Sequence, residues 1–203
     1  MTATLSTEAA LRDCYAQPAE MVQKKILSRL DRHAKAFIAL SPMVMLATAG
    51  PDGADCSPRG DAPGFVRVED DATLLLPDRR GNNLIDSLRN VTQQPSVGLL
   101  FLVPGINETL RVNGTAAIVT DAARLAPLAV QGQVPASALE IRVREVFFHC
   151  GKAMIRSELW NPEKHVPRGT FPTLGRVIAD QIAGVDAEAA DANLAEAYRT
   201  RLY

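Results

Sequence analysis

The sequence predicts a mainly β protein with flanking helices, an α+β fold in which antiparallel strands form a closed or nearly closed barrel. The first observation is a set of apolar or alternating runs at short intervals: Met43–Ala47, Thr73–Leu76, Val97–Val103, Thr109–Val119 and Ala138–Phe148. The second is that turn signals containing glycine and asparagine join several of these runs, as in hairpins. Helical stretches are inserted without the regular strand–helix alternation of a parallel sheet, which favours a barrel.

The stretch from residue 6 to residue 40 is predicted to be helical. Apolar residues recur there at roughly helical spacing among charged ones: Met21, Ile26, Leu30, Phe37 and Leu40. Because proline does not continue a helix interior, Pro18 predicts a short helix followed by a longer one.

Two turns predict hairpins in the strand region. The apolar run that begins at Met43 ends at GPDG, residues 50–53, and Asp-Gly between extended segments is a strong hairpin signal. Gly105 and Asn107 lie between two later strands and indicate a second hairpin.

Three further helical stretches are predicted after the first strands. The stretch Asn83–Thr92 has Asn82 or Asn83 available as a cap. Its apolar residues share one face: Leu84, Ile85, Leu88 and Val91. Asp121–Val130 is predicted as a short helix, and the alanine-rich tail from Phe171 as mostly helical.

Composition and charge exclude several functional classes. The 203 residues are 47% hydrophobic and 22% charged, as in an ordinary globular protein with one substantial core. Lys and Arg number 22 against 23 Asp and Glu, and this balance argues against nucleic acid as a partner. No apolar run reaches the roughly 20 residues of a membrane span, and the first residues lack the pattern of a signal peptide. We therefore expect a cytoplasmic protein with no membrane partner.

Cysteine and histidine give little support for a metal or thiol centre. The three cysteines are widely spaced without a CxxC pair, and the three histidines show no HxxxH or HExxH spacing. His149 beside Cys150 is a poor catalytic dyad, because adjacent residues on a strand or helix point in different directions. We therefore predict reduced thiols and no metal site.

Two polar clusters near predicted strand ends are candidates for anion binding. In SPRGD, residues 57–61, Arg59 offers planar donors suited to phosphate, and Gly60 lets a ligand approach the backbone. A strand end with a surface Arg–Asp pair explains the same residues. PDRRGNN, residues 77–83, joins a predicted strand to a predicted helix, where free N–H groups attract anions. Gly-Asn-Asn is equally suited to a turn and a helix cap.

The third polar cluster is HCGKAMIRSELW, residues 149–160. On a helix, Lys152, Arg156 and Trp160 would share one face, which suits an anionic planar ligand. The alternative is an exposed helix whose tryptophan closes the core. No Walker pattern, GxGxxG or nucleophile elbow occurs in the sequence, so phosphate is predicted to be bound rather than transferred.

The order of these motifs resembles the pyridoxamine 5′-phosphate oxidase-like, FMN-binding split-barrel family. From about Pro42 to Trp160 the matching segments are MVMLAT, GPDG, SPRGD, LLLPDRRGNN, LIDSLRN, SVGLLFLVPG and ETLRVNG. The segment FFHCGKAMIRSELW resembles an uncharacterised bacterial subgroup of that family. The resemblance implies a six-stranded antiparallel split β-barrel and a homodimer with FMN in a cleft at the interface.

The resemblance also implies the residues that would hold FMN. With Arg111, which we add as a candidate near the N1–O2 edge of the flavin, the predicted cofactor-binding residues are Ser57, Arg59, Gly60, Asp61, Pro77, Asp78, Arg79, Gly81, Asn82, Asn83, Thr109, Arg111, Lys152, Arg156 and Trp160. Residues 81–83 stand where the family has a Ser-Arg-Lys turn, so the phosphate here would depend on Arg59, Arg79 and backbone N–H groups. Thr109 stands where the oxidase carries a glutamine.

The domain organisation follows from the resemblance and the helical stretches. Residues 1–41 are predicted as an N-terminal helical segment packed on the barrel and 42–160 as the FMN-binding domain. Residues 161–203 are predicted as a C-terminal helical extension of that domain. The tail contains FPTLGRVIADQ where the oxidase has an arginine-rich substrate segment. We therefore expect an FMN-dependent oxidoreductase acting on a small molecule other than the oxidase's own substrate.

Two alternatives stay open at the level of sequence. Deazaflavin could replace FMN in the same barrel, whereas haem is disfavoured because neither His149 nor His165 has an evident ligand context. A flavin-binding or sensing protein without turnover is the other alternative, since fold does not determine function. The cofactor itself would carry the redox chemistry, so no catalytic residue is predicted.

Overall fold

A computed structural model of the chain describes residues 4–51 and 53–203. Its helices are α1 (Glu8–Cys14), α2 (Glu20–Lys24), α3 (Arg32–Leu40), α4 (Asp86–Gln93), α5 (Ala122–Leu125), α6 (Lys152–Ser157), α7 (Leu174–Gln181) and α8 (Ala187–Thr200). Its strands are β1 (Met43–Gly50), β2 (Gly53–Gly60), β3 (Arg67–Asp70), β4 (Thr73–Pro77), β5 (Ser96–Leu102), β6 (Thr109–Val119) and β7 (Ala138–His149). Short 3₁₀ helices are Ala126–Leu128, Pro162–Lys164 and Arg168–Thr170.

One antiparallel sheet contains the seven strands in the order β2-β1-β5-β6-β7-β4-β3. The predicted class, mainly antiparallel β with flanking helices, is confirmed. The prediction of six strands omitted β3. Its four residues, RVED, carry three charges and pair only with β4 through an irregular register. They therefore lack the apolar alternation that identifies the other strands.

Alternate residues of the central strands point into one core. The side chains at most 1% exposed include Val44, Leu46, Leu99, Phe101, Leu110, Val112 and Ile141. Phe37 and Ile38 of α3 belong to the same cluster, and Phe37 packs edge-on against Phe148 with ring centroids 5.4 Å apart. Burial of each such aliphatic or aromatic side chain contributes about 1.5–3 kcal/mol, so this face of the sheet holds the fold together.

The prediction of one longer helix after Pro18 is wrong. The residues between α2 and α3 are not helical. In that interval Leu27 forms an antiparallel bridge with Val146, with N–O distances of 2.9 and 2.8 Å. The N–H of Leu30 donates to the carbonyl of Asp71 at 2.7 Å, and the Leu30 side chain is buried. These long-range hydrogen bonds outweigh the local helical preference.

Helix α4 begins three residues later than predicted. Asn83 and Ile85 have φ values of 62° and 52°, and a left-handed residue cannot continue a right-handed helix. Leu84 and Ile85 are therefore exposed rather than on the apolar face of the helix, and only Leu88 and Val91 pack inward.

The remaining predicted elements are present. Strands β1 and β2 form the first hairpin, although Asp52 of its predicted turn lies outside the described residues, and β5 and β6 form the second. Helix α5 and the following 3₁₀ helix occupy the stretch predicted from Asp121, and α7 and α8 form the helical tail. Within the described ranges, no helix combines the length and apolarity needed to cross a membrane.

Candidate functional site

Strand β2 presents a row of polar side chains to α4. Every second residue of a strand points to the same side, so Asp55, Ser57 and Arg59 share one face and are partly buried. Ser87, at the start of α4, joins this row: its hydroxyl lies 3.1 Å from that of Ser57 and donates to Asp55 Oδ2 at 3.1 Å. The row is therefore connected by hydrogen bonds to the helix above it.

Two ion pairs connect the end of β2 with the end of β4. Arg59 Nη1 donates to Asp78 Oδ1 at 2.9 Å, and Arg79 Nε donates to Asp61 Oδ2 at 2.6 Å. Arg79 Nη1 also donates to the Leu128 carbonyl at 2.7 Å. Neither guanidinium uses its Nη2 in a hydrogen bond to any described residue. Both arginines therefore keep donors for a ligand.

These elements enclose a cleft of about 260 Å³, here called the β2–β4 cleft. It is lined by Asp55, Ser57, Arg59, Asp78, Arg79, Gly81, Asn82, Asn83, Leu84, Ile85, Asp86, Ser87 and Leu88. Each of its three carboxylates already has a partner: Asp55 accepts from Ser87, Asp78 from Arg59, and Asp86 from Arg89 at 2.8 Å. Arginines thus compensate the charges of Asp78 and Asp86, whereas Asp55 is held by hydroxyl groups, from Ser87 and Thr48.

Asp61 lies just outside the cleft and anchors Arg79. Its side chain is 1% exposed and also accepts hydrogen bonds from Ala62 N at 2.7 Å and Tyr203 Oη at 2.8 Å. Burial raises the pKa of Asp61, but the hydrogen bonds from Ala62, Tyr203 and Arg79 outweigh it and hold the pKa below the ordinary 3.8. The carboxylate is therefore charged at neutral pH.

A second cavity, of about 390 Å³, lies on the opposite face of the sheet and is here called the α6 cavity. Its lining residues are Leu100, Asn107, Thr109, His149, Cys150, Lys152, Ala153, Met154 and Arg156. Leu100 and Thr109 point away from the core side chains Leu99 and Leu110 next to them. Lys152 and Arg156 are exposed and pair with no carboxylate of the described residues.

Two titratable groups on this cavity have lowered pKa values. Burial, and then the positive charges of Arg111 and Lys25, lower the pKa of His149. The backbone N–H of Lys152 is the largest cause lowering the pKa of the Cys150 thiol, and the charges of Lys152 and Lys25 add to it. His149 is therefore neutral at pH 7.

The prediction that Lys152, Arg156 and Trp160 share one helix face is wrong for Trp160. Helix α6 ends before Glu158, whose φ of 49° is left-handed. Trp160 lies beyond this break, and its indole Nε1 donates to the Ile106 carbonyl at 2.9 Å. The tryptophan thus holds the loop after β5 instead of extending the row of cations.

Arg111 is fixed on the outer face of β6. Its Nη2 donates to Glu145 Oε1 at 2.9 Å, and its guanidinium lies 4.2 Å from the centroid of the Phe147 ring. Its Nε is buried without a hydrogen-bond partner among the described residues. Leaving a buried donor without a partner costs about 1–3 kcal/mol.

The fifteen predicted cofactor-binding residues separate into three groups. The β2–β4 cleft contains Ser57, Arg59, Asp78, Arg79, Gly81, Asn82 and Asn83. The α6 cavity contains Thr109, Lys152 and Arg156. Neither cavity is lined by Gly60, Asp61, Pro77, Arg111 or Trp160. The first two groups face opposite sides of the sheet within one chain.

The sequence reasoning missed several residues of the site, among them Asp55, Ser87 and Tyr203. Asp55 precedes Ser57 by two positions, and strand alternation could have identified it. Ser87 and Tyr203 carry no such signal, because each reaches the site from a segment whose position depends on the tertiary fold.

The family model for pyridoxamine 5′-phosphate oxidase matches residues 30–150, more than half of the chain. The chain belongs to this family. The matched segment includes both strands of the β2–β4 cleft, α4 and all of β7. It does not include Lys152, Arg156 or Trp160, nor the tail that carries α7 and α8. No curated protein matches the chain.

Several solved structures resemble part of the chain. HupZ of group A Streptococcus is 20% identical, with a TM-score of 0.48 over 59% of this chain and 93% of that one. A putative pyridoxamine 5′-phosphate oxidase of Lactobacillus delbrueckii is 21% identical, with a TM-score of 0.47 over 60% and 95%. An FMN-binding protein of Syntrophomonas wolfei is 11% identical, with a TM-score of 0.46 over 58% and 84%.

Proposed function

We propose that this protein binds FMN in the β2–β4 cleft and uses it in a redox reaction on a small molecule. The observation that carries the proposal is that seven residues implied by the family resemblance line this one cleft. Two of them are arginines, Arg59 and Arg79, each with an Nη2 that bonds to no described residue. The planar donors of arginine match phosphate oxygens, so the phosphate of FMN suits these groups.

The start of α4 adds backbone donors to the same cleft. Ile85, at the N-cap position, makes no side-chain cap, so N–H groups of the first turn are left for a ligand. The helix dipole favours a negative charge at this end. Asp86 opposes it in the first turn, but Arg89 pairs with that carboxylate. The donors present therefore fit a phosphate, even without the two cations that the family's Ser-Arg-Lys turn would supply.

We propose a homodimer because one copy supplies only part of a flavin site. The β2–β4 cleft has about 260 Å³, below the roughly 300–1,000 Å³ of pockets that bury a whole ligand. Thr109, Lys152 and Arg156 face the other side of the sheet, so a second copy is needed to bring them to the same ligand. The outer face of β1 and β5 offers partly exposed apolar side chains for that contact, among them Met45 and Leu100.

The roles of the residues follow from these contacts. FMN, when bound, supplies the electron or hydride transfer. Asp78 orients Arg59 toward the phosphate, and Asp61 does the same for Arg79. Arg111, fixed by Glu145, would place a positive charge beside the N1–O2 edge of the ring. The protein thus supplies orientation and charge, with no general base required of it.

The experiment that tests this proposal is a visible absorption spectrum of the freshly purified full chain, followed by release of any chromophore and its identification by mass. FMN at close to one per chain supports the proposal. A deazaflavin would replace the cofactor but retain the site. A colourless protein that also takes up no added FMN would refute the proposal. Reduction by NADH or NADPH and reoxidation by a defined substrate would then separate an enzyme from a sensor.

A further inference from the structure

The segment after α8 returns to the barrel and contacts the residues behind the β2–β4 cleft. Tyr203 Oη donates to Asp61 Oδ1 at 2.8 Å, while Asp61 Oδ2 accepts from Arg79 Nε at 2.6 Å. The Arg79 guanidinium carbon also lies 5.9 Å from the centroid of the Tyr203 ring. One tyrosine therefore lies against both members of an ion pair whose carboxylate is buried and whose guanidinium is partly buried.

Three contacts restrain the Arg79 side chain. Its Nε is bound to Asp61, its Nη1 to the Leu128 carbonyl, and one face of the guanidinium is near the Tyr203 ring. The Nη2 of Arg79 bonds to no described residue, and the Arg79 side chain lines the cleft. An arginine whose conformation is already fixed loses less conformational entropy when it binds an anion, which strengthens binding.

The tail that carries Tyr203 makes few other contacts with the sheet. Helices α7 and α8 pack chiefly on each other, and Gly175 N donates to Asp191 across that pair at 2.8 Å. The tail also lies beyond the segment matched by the family model. The hydrogen bond from Tyr203 therefore connects a part of the chain outside the matched domain to a residue of the candidate site.

We propose that Tyr203 is a positioning residue for ligand binding. It holds the Asp61 carboxylate in one orientation, and Asp61 in turn fixes Arg79 so that its Nη2 meets the anionic group of the ligand. The inference rests on the proposed function only in taking FMN as that ligand, since any phosphate-bearing ligand of the cleft would meet the same guanidinium.

The test compares Tyr203→Phe with the matched variant Tyr198→Phe in the full chain. Tyr198 is an exposed tyrosine of α8 whose hydroxyl bonds to no described residue. We expect Tyr203→Phe to weaken FMN binding about threefold to tenfold, measured by quenching of flavin fluorescence, and Tyr198→Phe to leave it unchanged. Because Tyr203 acts through Arg79, the same change should have no effect in an Arg79→Ala background.

A second readout does not need FMN. In the ligand-free protein, the Nε–H proton of Arg79 is bonded to a buried carboxylate, so its NMR signal should be protected from exchange. Tyr203→Phe should speed that exchange, and Tyr198→Phe should not. If the wild type binds no FMN, the proposed function fails. The exchange comparison still decides this inference, because it is made on the ligand-free protein and repeated with inorganic phosphate as the probe. Unchanged exchange in Tyr203→Phe, or a further loss of binding in the Arg79→Ala background, would overturn it.

Discussion

Replacing Asp61 with asparagine should destabilise the protein by about 2–4 kcal/mol at neutral pH. The wild-type side chain is 1% exposed and accepts from Ala62 N and Tyr203 Oη on Oδ1, and from Arg79 Nε on Oδ2. Asparagine has the same shape and can keep the first two hydrogen bonds. Its amide NH₂ would instead face the Arg79 Nε–H, so two donors meet and a largely buried cation loses its counter-charge.

The size of this effect should depend on pH in a defined direction. Burial raises the pKa of Asp61, but the hydrogen bonds from Ala62, Tyr203 and Arg79 bring it below 3.8. A carboxyl group with a lower pKa in the folded state stabilises the fold above its unfolded pKa, and this contribution is lost as pH falls through the folded pKa. The difference between wild type and Asp61→Asn should be full at pH 7 and shrink below about pH 4.

Urea unfolding at pH 7 and at a series of acidic pH values measures this difference. The control is Asp180→Asn, which breaks an exposed pair with Arg176 at 3.7 Å and should change the free energy of unfolding by less than about 0.5 kcal/mol. An Asp61→Asn protein as stable as the control at pH 7 would refute the reasoning, and so would a deficit that stays constant as pH falls.

Three further changes test other parts of the molecule. Arg59→Ala should raise the dissociation constant for FMN about tenfold or more, because a charge-assisted donor to phosphate is lost; fluorescence titration measures it. Met45→Glu should convert the proposed homodimer into monomers in sedimentation velocity, since a carboxylate would be buried in the contact. Gly114→Ala should cost about 2–4 kcal/mol in urea unfolding. Its Cβ would lie 2.1 Å from the Arg142 carbonyl oxygen, at the register shift between β6 and β7.

Each of these changes has a matched control. Arg144→Ala, at an exposed strand position, should bind FMN as the wild type does, and equal binding by Arg59→Ala would contradict the role of that residue. Met21→Glu in α2 should leave the oligomeric state unchanged, while a Met45→Glu protein that stays dimeric would remove the outer face as the interface. Gly169→Ala, where a Cβ meets nothing within 4 Å, should be as stable as wild type, and equal stability of Gly114→Ala would contradict the steric reasoning.

The strands were predictable from sequence because their patterns are local. The alternation around Val44 and Leu46 continues in Leu99 and Phe101, and each pair faces the same core. The break between α2 and α3 was not predictable, since it depends on a bridge from Leu27 to a strand more than a hundred residues away. Local propensity carries no information about such a partner.

The candidate site was likewise predictable from sequence only in part. Arg59 and the turn at residues 81–83 stand out because charged and turn residues follow strands in compact motifs. Their partners in the structure could not be read from those motifs. Asp61 pairs with Arg79 across the gap between two strand ends, and Tyr203 reaches Asp61 only because the tail folds back.

The sheet order leaves β2 and β3 at the two ends, and no backbone ladder joins β2 to β4. Among the described residues, two side-chain ion pairs join the ends of these strands, Arg59–Asp78 and Asp61–Arg79. A ligand in the cleft would contact β2 and the end of β4 together. At a concentration one hundred times its dissociation constant, it would raise the free energy of unfolding by about 2.7 kcal/mol. Without that ligand, β2 remains an end strand with one edge that pairs with no described strand, and this edge is where we expect association between molecules.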